Sequence, residues 1–367
     1  MMVAVQDTKT LLVKEKDYGT TAHGETVKEF TLQNIHGVEV KFITYGGSIT
    51  SVKVPDKNGN FENVILGFLS LQQYENDPGA RPYFGALIGR YANRIARKFC
   101  LEGKEYSPSL NENSNCLHGG KVGFDKQVWQ AEVLEQSDHQ LSVGLSLHSQ
   151  DGDQGFPGNL SVQVIYSLNN DNEFSIRYQA KTDQTTVINL TNHSYINLAG
   201  EGNGSIENHK LQLFCSGYTP VDQYMIPTGE IASVANTPMD FRENRYIGDH
   251  IRDNFDQLYK AIGYDHNFVI DGYSKETMRP AAILHHEQSG RKLELFTTLP
   301  GMQVYTGNAL RGNLKGYSGK AYRQCEGIAF EPQYYPDSPN QANFPSTTLQ
   351  PTEVFDEKTI YRFSVVL

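Results

Sequence analysis

The sequence predicts an all-β fold, a large antiparallel sandwich with few short helices. Three observations predict it. The 367 residues include 33 Gly, 21 Tyr and 18 Phe, a composition that favours many strands joined by tight turns. Short runs with strand-like alternation recur along the chain, separated by turn signals and not by helical crossovers, which indicates antiparallel pairing. No fixed-period repeat, low-complexity linker or charge block divides the chain, so residues 1–367 read as a single domain despite a length that also suits two or three.

The elements follow in order. "VEVKFITYGGSITSVKV", 38–54, alternates on both sides of Gly46-Gly47; "PDKNGN" is a turn and "ENVILGF" resumes a strand. Residues 69–98 are less regular and are expected to hold short helices. From 99 onward the strand runs include "FCLEGKEYSP", "VWQAEVLEQ", "QLSVGLSLHS", "LSVQVIYSL", "EFSIRYQAKT" and "KLQLFCSG". A short helix is expected near 244–262. The last third returns to strands: "HNFVID", "AAILHH", "RKLELFTT", "GMQVYTGN", "EGIAFEPQ" and "IYRFSVVL".

Charge and composition narrow the partners. A net charge of −10 argues against nucleic acid or an anionic membrane and leaves a neutral small molecule open. No apolar run is long enough to cross a membrane, and "MMVAVQDTKTLLVKEKDYG" lacks a secretory signal pattern, so a cytoplasmic location is the expectation. Cys100, Cys116, Cys215 and Cys325 are widely spaced and read as reduced, mostly buried thiols. "GEGNGS", "DGDQGF" and "HHE" fail the spacing of a dinucleotide fingerprint, a calcium loop and a zinc helix respectively.

One stretch is odd. In "VINLTNHSYINLAG", 187–200, Ile188, Leu190, Ile196 and Leu198 alternate with Asn189, Thr191, His193, Tyr195 and Asn197. Read as a strand, its second face carries amides, an imidazole and a phenol with no charge. Five other segments share this character. "GRYANRIA" holds Asn93 and Arg94, whose rigid fork of donors suits vicinal hydroxyls or a carboxylate. In "SNCLHGGKVGFDKQVW", His118 precedes two glycines that permit close approach of a ligand, while Trp129 reads as core. "YDHNFVID" places Asp265 at the start of a strand. "PGMQVYTGN" puts Gln303 and Tyr305 on one face, and "EGIAFEPQYYPDSPNQANFPS" runs an apolar strand into Glu331. Pro332 is expected to end that strand, leaving Glu331 partly desolvated, with its pKa raised towards the range of a general base. Together these groups amount to a sugar site with acid–base chemistry and no metal.

The segments "GRYANRIA", "NCLHGGKVGFDKQVW", "DGDQGFPG", "NLTNHSYINLAG", "DHNF", "PGMQVYTGN" and "EPQYYPDSPNQANFPS" resemble, in order and across nearly the whole chain, the aldose 1-epimerase (mutarotase) family of the galactose mutarotase type. The resemblance implies a β-supersandwich with an open cleft. It implies interconversion of the α and β anomers of free aldohexoses such as glucose and galactose, with no cofactor. His193 would be the acid at the ring oxygen and Glu331 the base at the C1 hydroxyl. Arg94, His118, Asp265 and Gln303 would hold the sugar hydroxyls, with Asn93 and Tyr195 beside them. Carboxylate neighbours, Glu331 or Asp265, are expected to keep His193 protonated. The partner is then a monosaccharide, and the chain a monomer or homodimer. Two departures stand out. Arg97-Lys98 follows "NRIA" where the family usually has a glycine, and Ile196 stands where Phe is commoner. The competing readings are a glycoside hydrolase or lyase using Asp265 and Glu331 as a carboxylate pair, and a catalytically silent sugar-binding protein.

Overall fold

The computed structural model describes residues 11–76 and 82–367; the first ten residues of the N-terminal stretch read for a signal, and residues 77–81 of the irregular 69–98 segment, lie outside it. Alternation decides which residues face inward. In Phe355–Val365, Phe355, Glu357, Thr359, Tyr361 and Phe363 are buried, while the residues between them are partly exposed. Leu160–Asn169 buries Leu160, Val162, Val164, Tyr166 and Leu168 in the same way. A strand that hides every second side chain needs an apolar partner layer, and the large sheets supply it to one another.

Three sheets carry the architecture. A five-stranded meander runs Leu12–Thr20, Thr26–Gln33, Glu39–Ile43, Ile49–Pro55 and Phe61–Asn63 in chain order. The nine-stranded sheet runs Gln130–Gln136, Gln140–Ser149, Leu160–Asn169, Glu173–Thr182, Phe355–Val365, Arg291–Thr297, Arg279–His286, Lys210–Leu213 and Arg245–Tyr246. The six-stranded sheet runs Tyr195–Ile196, Ile328–Gln333, Gly301–Tyr305, Asp265–Ile270, Cys215–Tyr218 and Ala232–Ser233. Their pairings are antiparallel. One apolar cluster joins all three, from Phe30 and Phe42 through Tyr166 and Phe174 to Phe268, Met302 and Phe330. This is the all-β sandwich that the sequence predicts.

The helices among the described residues are short, Leu71–Glu75 and Asp256–Ala261, and fall where the sequence expects them. No helix there is long and apolar enough to cross a membrane. Trp129 is core, at 2% exposure. Cys116, Cys215 and Cys325 are buried thiols, whereas Cys100 is exposed.

Two local expectations are corrected. Residues 187–200 are not one strand. They form three two-residue pieces, Thr186–Val187, Thr191–Asn192 and Tyr195–Ile196, which pair with three different partners. Both alternating sets are buried, because the segment threads between layers instead of lying on the outside. Its amides serve the backbone. Asn189 donates to the carbonyls of Ala92 and Tyr334 and accepts from the Tyr334 amide; Thr191 donates to the Pro332 carbonyl; Asn197 donates to the carbonyls of Gly204 and Glu326.

The second correction concerns Pro332. The strand does not stop before it but runs from Ile328 to Gln333, so Glu331 sits inside a strand and is 2% exposed. On one side Gly301–Tyr305 pairs along the whole stretch. On the other, Tyr195–Ile196 pairs only with Ile328 and Ala329, so the missing N–H of Pro332 falls beyond the ladder that needs donors.

Candidate active site

Register builds the floor of the cleft. Across the six-stranded sheet Asn267 lies opposite Gln303, and Gln303 opposite Glu331. Two residues along, Asp265 lies opposite Tyr305, Tyr305 opposite Ala329, and Ala329 opposite Tyr195. Directly opposed residues share a face, and so do residues two apart on one strand. One face of this sheet therefore carries Glu331, Gln303, Asp265, Tyr305 and Tyr195, while Phe268, Met302 and Phe330 point into the apolar core.

His193 comes to this floor from the broken segment 187–200. Its amide donates to the Ala86 carbonyl, and its carbonyl accepts from the Gly85 amide. Asn192 donates to the Gly85 carbonyl and accepts from the Ser194 hydroxyl. The chain on both sides of His193 is thus pinned, and the ring is wedged among Tyr83, His118 and Tyr195 at centroid distances of 5.7, 5.2 and 5.0 Å. Its Nε2 lies 3.5 Å from Glu331 Oε1.

The facing wall comes from two short paired strands, Arg94–Ala96 and Asn115–Leu117. His118 and Asn93 both take the left-handed backbone, with φ of 51° and 61°. They lock together: the Asn93 amide donates to His118 Nδ1, and the His118 amide donates to the Asn93 carbonyl. The neutral His118 ring therefore carries its proton on Nε2, the atom left for a ligand. The glycine pair takes unusual backbone angles, with φ of 86° and 103°, but what approaches Gly119 is backbone and not a ligand. A Cβ on Gly119 would lie 2.0 Å from the Gly89 carbonyl oxygen, so only glycine lets the two backbones meet there.

Arg94 is buried and grips Glu112, with Nε 2.6 Å and one terminal nitrogen 2.8 Å from the carboxylate oxygens. Asp265 accepts from the Gln303 amide at 2.5 Å. Arg90, in the same "GRYANRIA" run, has a different job. Its buried guanidinium donates to Ser149 and to the carbonyls of Pro157, Ser149 and Gln150, which staples the "DGDQGFPG" loop to the sandwich. At Arg97 φ is 36°; a non-glycine residue here accepts the left-handed turn that glycine favours.

Asn93, Arg94, His118, His193, Tyr195, Asp265 and Glu331 all line one cleft of about 250 Å³. Gln303 does not line it; it sits behind Asp265 and supports that carboxyl. Tyr83, Glu112 and Tyr305 line it as well. Sequence reasoning noted Tyr305 only as sharing the Gln303 face, and no pattern marked Tyr83 or Glu112. A larger hollow of about 820 Å³ opens beside Tyr334 and Glu357. Its buried Glu357 already accepts from the Thr298 and Tyr334 hydroxyls, and no histidine lines it.

Burial dominates the electrostatics. It pushes the His193 imidazole down to about 4. It pushes the Glu331 carboxyl well above the usual range, with the Asp265 charge adding to the rise and Arg94 opposing it. Asp265 is raised by burial against the pull of Arg94 and Gln303. His118 is held well below its ordinary value by burial, and then by His193 and Arg94. Burial works to lower Arg94, and the Glu112 carboxylate outweighs it. This runs against the expectation that carboxylate neighbours keep His193 protonated: burial lowers the imidazole instead. Removing an imidazolium and a carboxylate from water costs more than their mutual attraction returns. Burial therefore favours the neutral form of each, the imidazole over the imidazolium and the carboxylic acid over the carboxylate.

His118, His193 and Glu331 each bring a potential metal-ligating atom within 4.8 Å of the others. The Asn93 amide occupies His118 Nδ1, which leaves a protonated Nε2 with no lone pair for a metal. This donor set suits hydroxyl groups better than a cation.

Residues 28–362 match the family model described as aldose 1-epimerase. The galactose mutarotase of Bos taurus is 45% identical over 341 residues, covering 93% of this chain and 95% of that protein. The aldose 1-epimerase of Escherichia coli (strain K12) is 37% identical, covering 93% of this chain and 96% of its own. Among solved structures, galactose 1-epimerase from Lactobacillus acidophilus NCFM superposes with a TM-score of 0.85 at 29% identity, covering 98% of this chain and 100% of that one.

Proposed function

This chain belongs to the aldose 1-epimerase family and is a carbohydrate epimerase; from that premise we propose that His193 and Glu331 are the acid and base that interconvert the α and β anomers of aldohexoses such as glucose and galactose. One observation carries the assignment: the buried pair, 3.5 Å apart on the floor of the cleft, with unpartnered atoms on both members.

Opening a cyclic hemiacetal removes a proton from the C1 hydroxyl and delivers one to the ring oxygen. A base and an acid side by side do both without a free alkoxide or oxonium, and such positioned transfer contributes about 10²–10⁴-fold. Ring opening starts from Glu331 as carboxylate and His193 as imidazolium. It ends with Glu331 protonated and His193 neutral, beside an open-chain aldehyde. Rotation about C1–C2 presents the other face of the carbonyl, and the same two transfers run backwards on closure. The two forms differ only in which residue holds the single shared proton. Burial favours the uncharged form, the one that meets the aldehyde. Arg94, Asn93, His118 and Asp265 are well placed to take the remaining hydroxyls, and Gln303 orients Asp265. A cleft of about 250 Å³ suits one sugar ring. The chemistry calls for no cofactor.

The test is polarimetry of freshly dissolved α-D-glucose and α-D-galactose. Glu331→Gln and His193→Asn are each expected to lower kcat by about 10²-fold or more, and product mass stays unchanged, which separates epimerisation from hydrolysis. Wild-type rates in both variants would overturn the assignment.

A further inference from the structure

Arg94 does not meet the cleft as a free fork. Its Nε and one terminal nitrogen are spent on the two oxygens of Glu112, and Nη1 makes only a long contact of 3.5 Å to the Asn93 side chain. Two vicinal hydroxyls cannot sit across the fork edge that Glu112 already fills. A ligand instead meets the outer donors of Arg94 and, next to them, the Glu112 carboxylate.

We propose that Glu112 is itself a substrate-binding residue, whose carboxylate accepts a hydrogen bond from one aldose hydroxyl while Arg94 donates to that hydroxyl or its neighbour. The proposal rests on the epimerase reading above and adds a specificity-determining group to it.

Three observations support it. Glu112 lines the same cleft as His193 and Glu331. Its side chain keeps 30% exposure while that of Arg94 keeps 9%, so the open side of this ion pair is the carboxylate. A carboxylate has about four acceptor positions, and Arg94 takes two, leaving others for hydroxyl protons. Glu112 is also held rigidly. The Asn115 amide donates to its carbonyl, and its amide donates to the Asn115 carbonyl. Asn113 takes φ 51° between them, and Leu117 then pairs with Arg94. This tight turn folds Glu112 back onto the guanidinium before any sugar arrives, so little ordering cost falls on binding.

The alternating acceptor and donor of this pair match a sugar hydroxyl, which both donates and accepts. Such a site rejects an analogue lacking that hydroxyl, because the charged acceptor loses its partner. The recognised hydroxyl lies away from C1, since Glu331 and His193 are assigned to C1 and the ring oxygen.

The experiment is steady-state polarimetry of wild type, Glu112→Gln and Glu112→Ala on galactose, glucose and the 2-, 3-, 4- and 6-deoxy galactoses, all of which keep C1. In the wild type one deoxy sugar is expected to show a KM raised roughly 10- to 100-fold, the range for one hydrogen bond to a charged group. Glu112→Ala is expected to raise KM for every sugar that has that hydroxyl and to leave KM for that one deoxy sugar unchanged. An equal rise across all the sugars would mean that Glu112 acts only by holding Arg94, and would overturn the proposal; so would an unchanged KM in both variants. Mutarotation by wild type that is lost in Glu331→Gln, together with either of those results, leaves the epimerase reading intact. No mutarotation of any sugar by wild type overturns that reading itself.

Discussion

His193 Nε2 and Glu331 Oε1 stand 3.5 Å apart with side-chain exposures of 5% and 2%. They reach this position from unrelated parts of the chain, one from a pinned irregular segment and the other from the middle of a strand. Burial acts on both in opposite directions, lowering the imidazole and raising the carboxyl.

The pH profile of catalysis follows. Below about pH 4 His193 gains a proton while Glu331 keeps its own, and no base is left. Above the raised pKa of Glu331 the pair is bare, and no acid is left. We expect kcat/KM to be level between these limits, with its acid limb near pH 4 and not near the ordinary histidine value of about 6.5. An acid limb centred at about 6.5 would contradict the assignment.

Stability carries the opposite mark of the same burial. The folded pKa of Glu331 lies above its unfolded value, so its favourable contribution is complete below about pH 4.3 and is lost as pH rises through the folded pKa. Glu331→Gln removes this titration and keeps the shape. The variant should gain in Tm over wild type as pH is raised, even as activity collapses. Thermal denaturation at several pH values measures it, and a Tm difference independent of pH would show that Glu331 is not held protonated.

Gln303 should act through Asp265 and not on the sugar. Gln303→Ala takes away the 2.5 Å amide donor and is expected to raise KM by about 10-fold, the loss of roughly one charge-assisted hydrogen bond, with little change in kcat. A fall in kcat at constant KM would place Gln303 in the chemistry instead.

Gly119 is a structural requirement of the site. An alanine there must hold φ near 86° and push a methyl to 2.0 Å from the Gly89 carbonyl oxygen. Gly119→Ala should cost about 2 kcal/mol or more and shift His118 enough to raise KM. Chemical denaturation gives the first quantity and polarimetry the second; an unchanged midpoint would be inconsistent with this backbone contact.

Much of the fold was legible in the sequence, because a strand writes its burial into alternate residues. Phe355–Val365 and Leu160–Asn169 show the pattern openly, and Gly119-Gly120 mark their turn because few other residues tolerate it. The residue types of the site were legible too: a histidine among amides at 193, a glutamate after "IAF" at 331, and "NR" at 93–94. Each is a costly choice in an ordinary strand. The ordered run of motifs turned those oddities into one family.

The remainder depended on contacts between distant segments. That 187–200 breaks into three pieces follows from its neighbours, since every amide in it answers a backbone group far along the chain. That Pro332 lies inside a strand depends on how far Tyr195–Ile196 reaches. That Glu112 fills the fork of Arg94, and that Gln303 stands behind Asp265, are matters of geometry that alternation cannot encode. The proton's place is the clearest case. Sequence alone names a carboxylate and an imidazole and suggests an ion pair. Only the packed structure shows both deprived of water, and desolvation is what favours the neutral form of each.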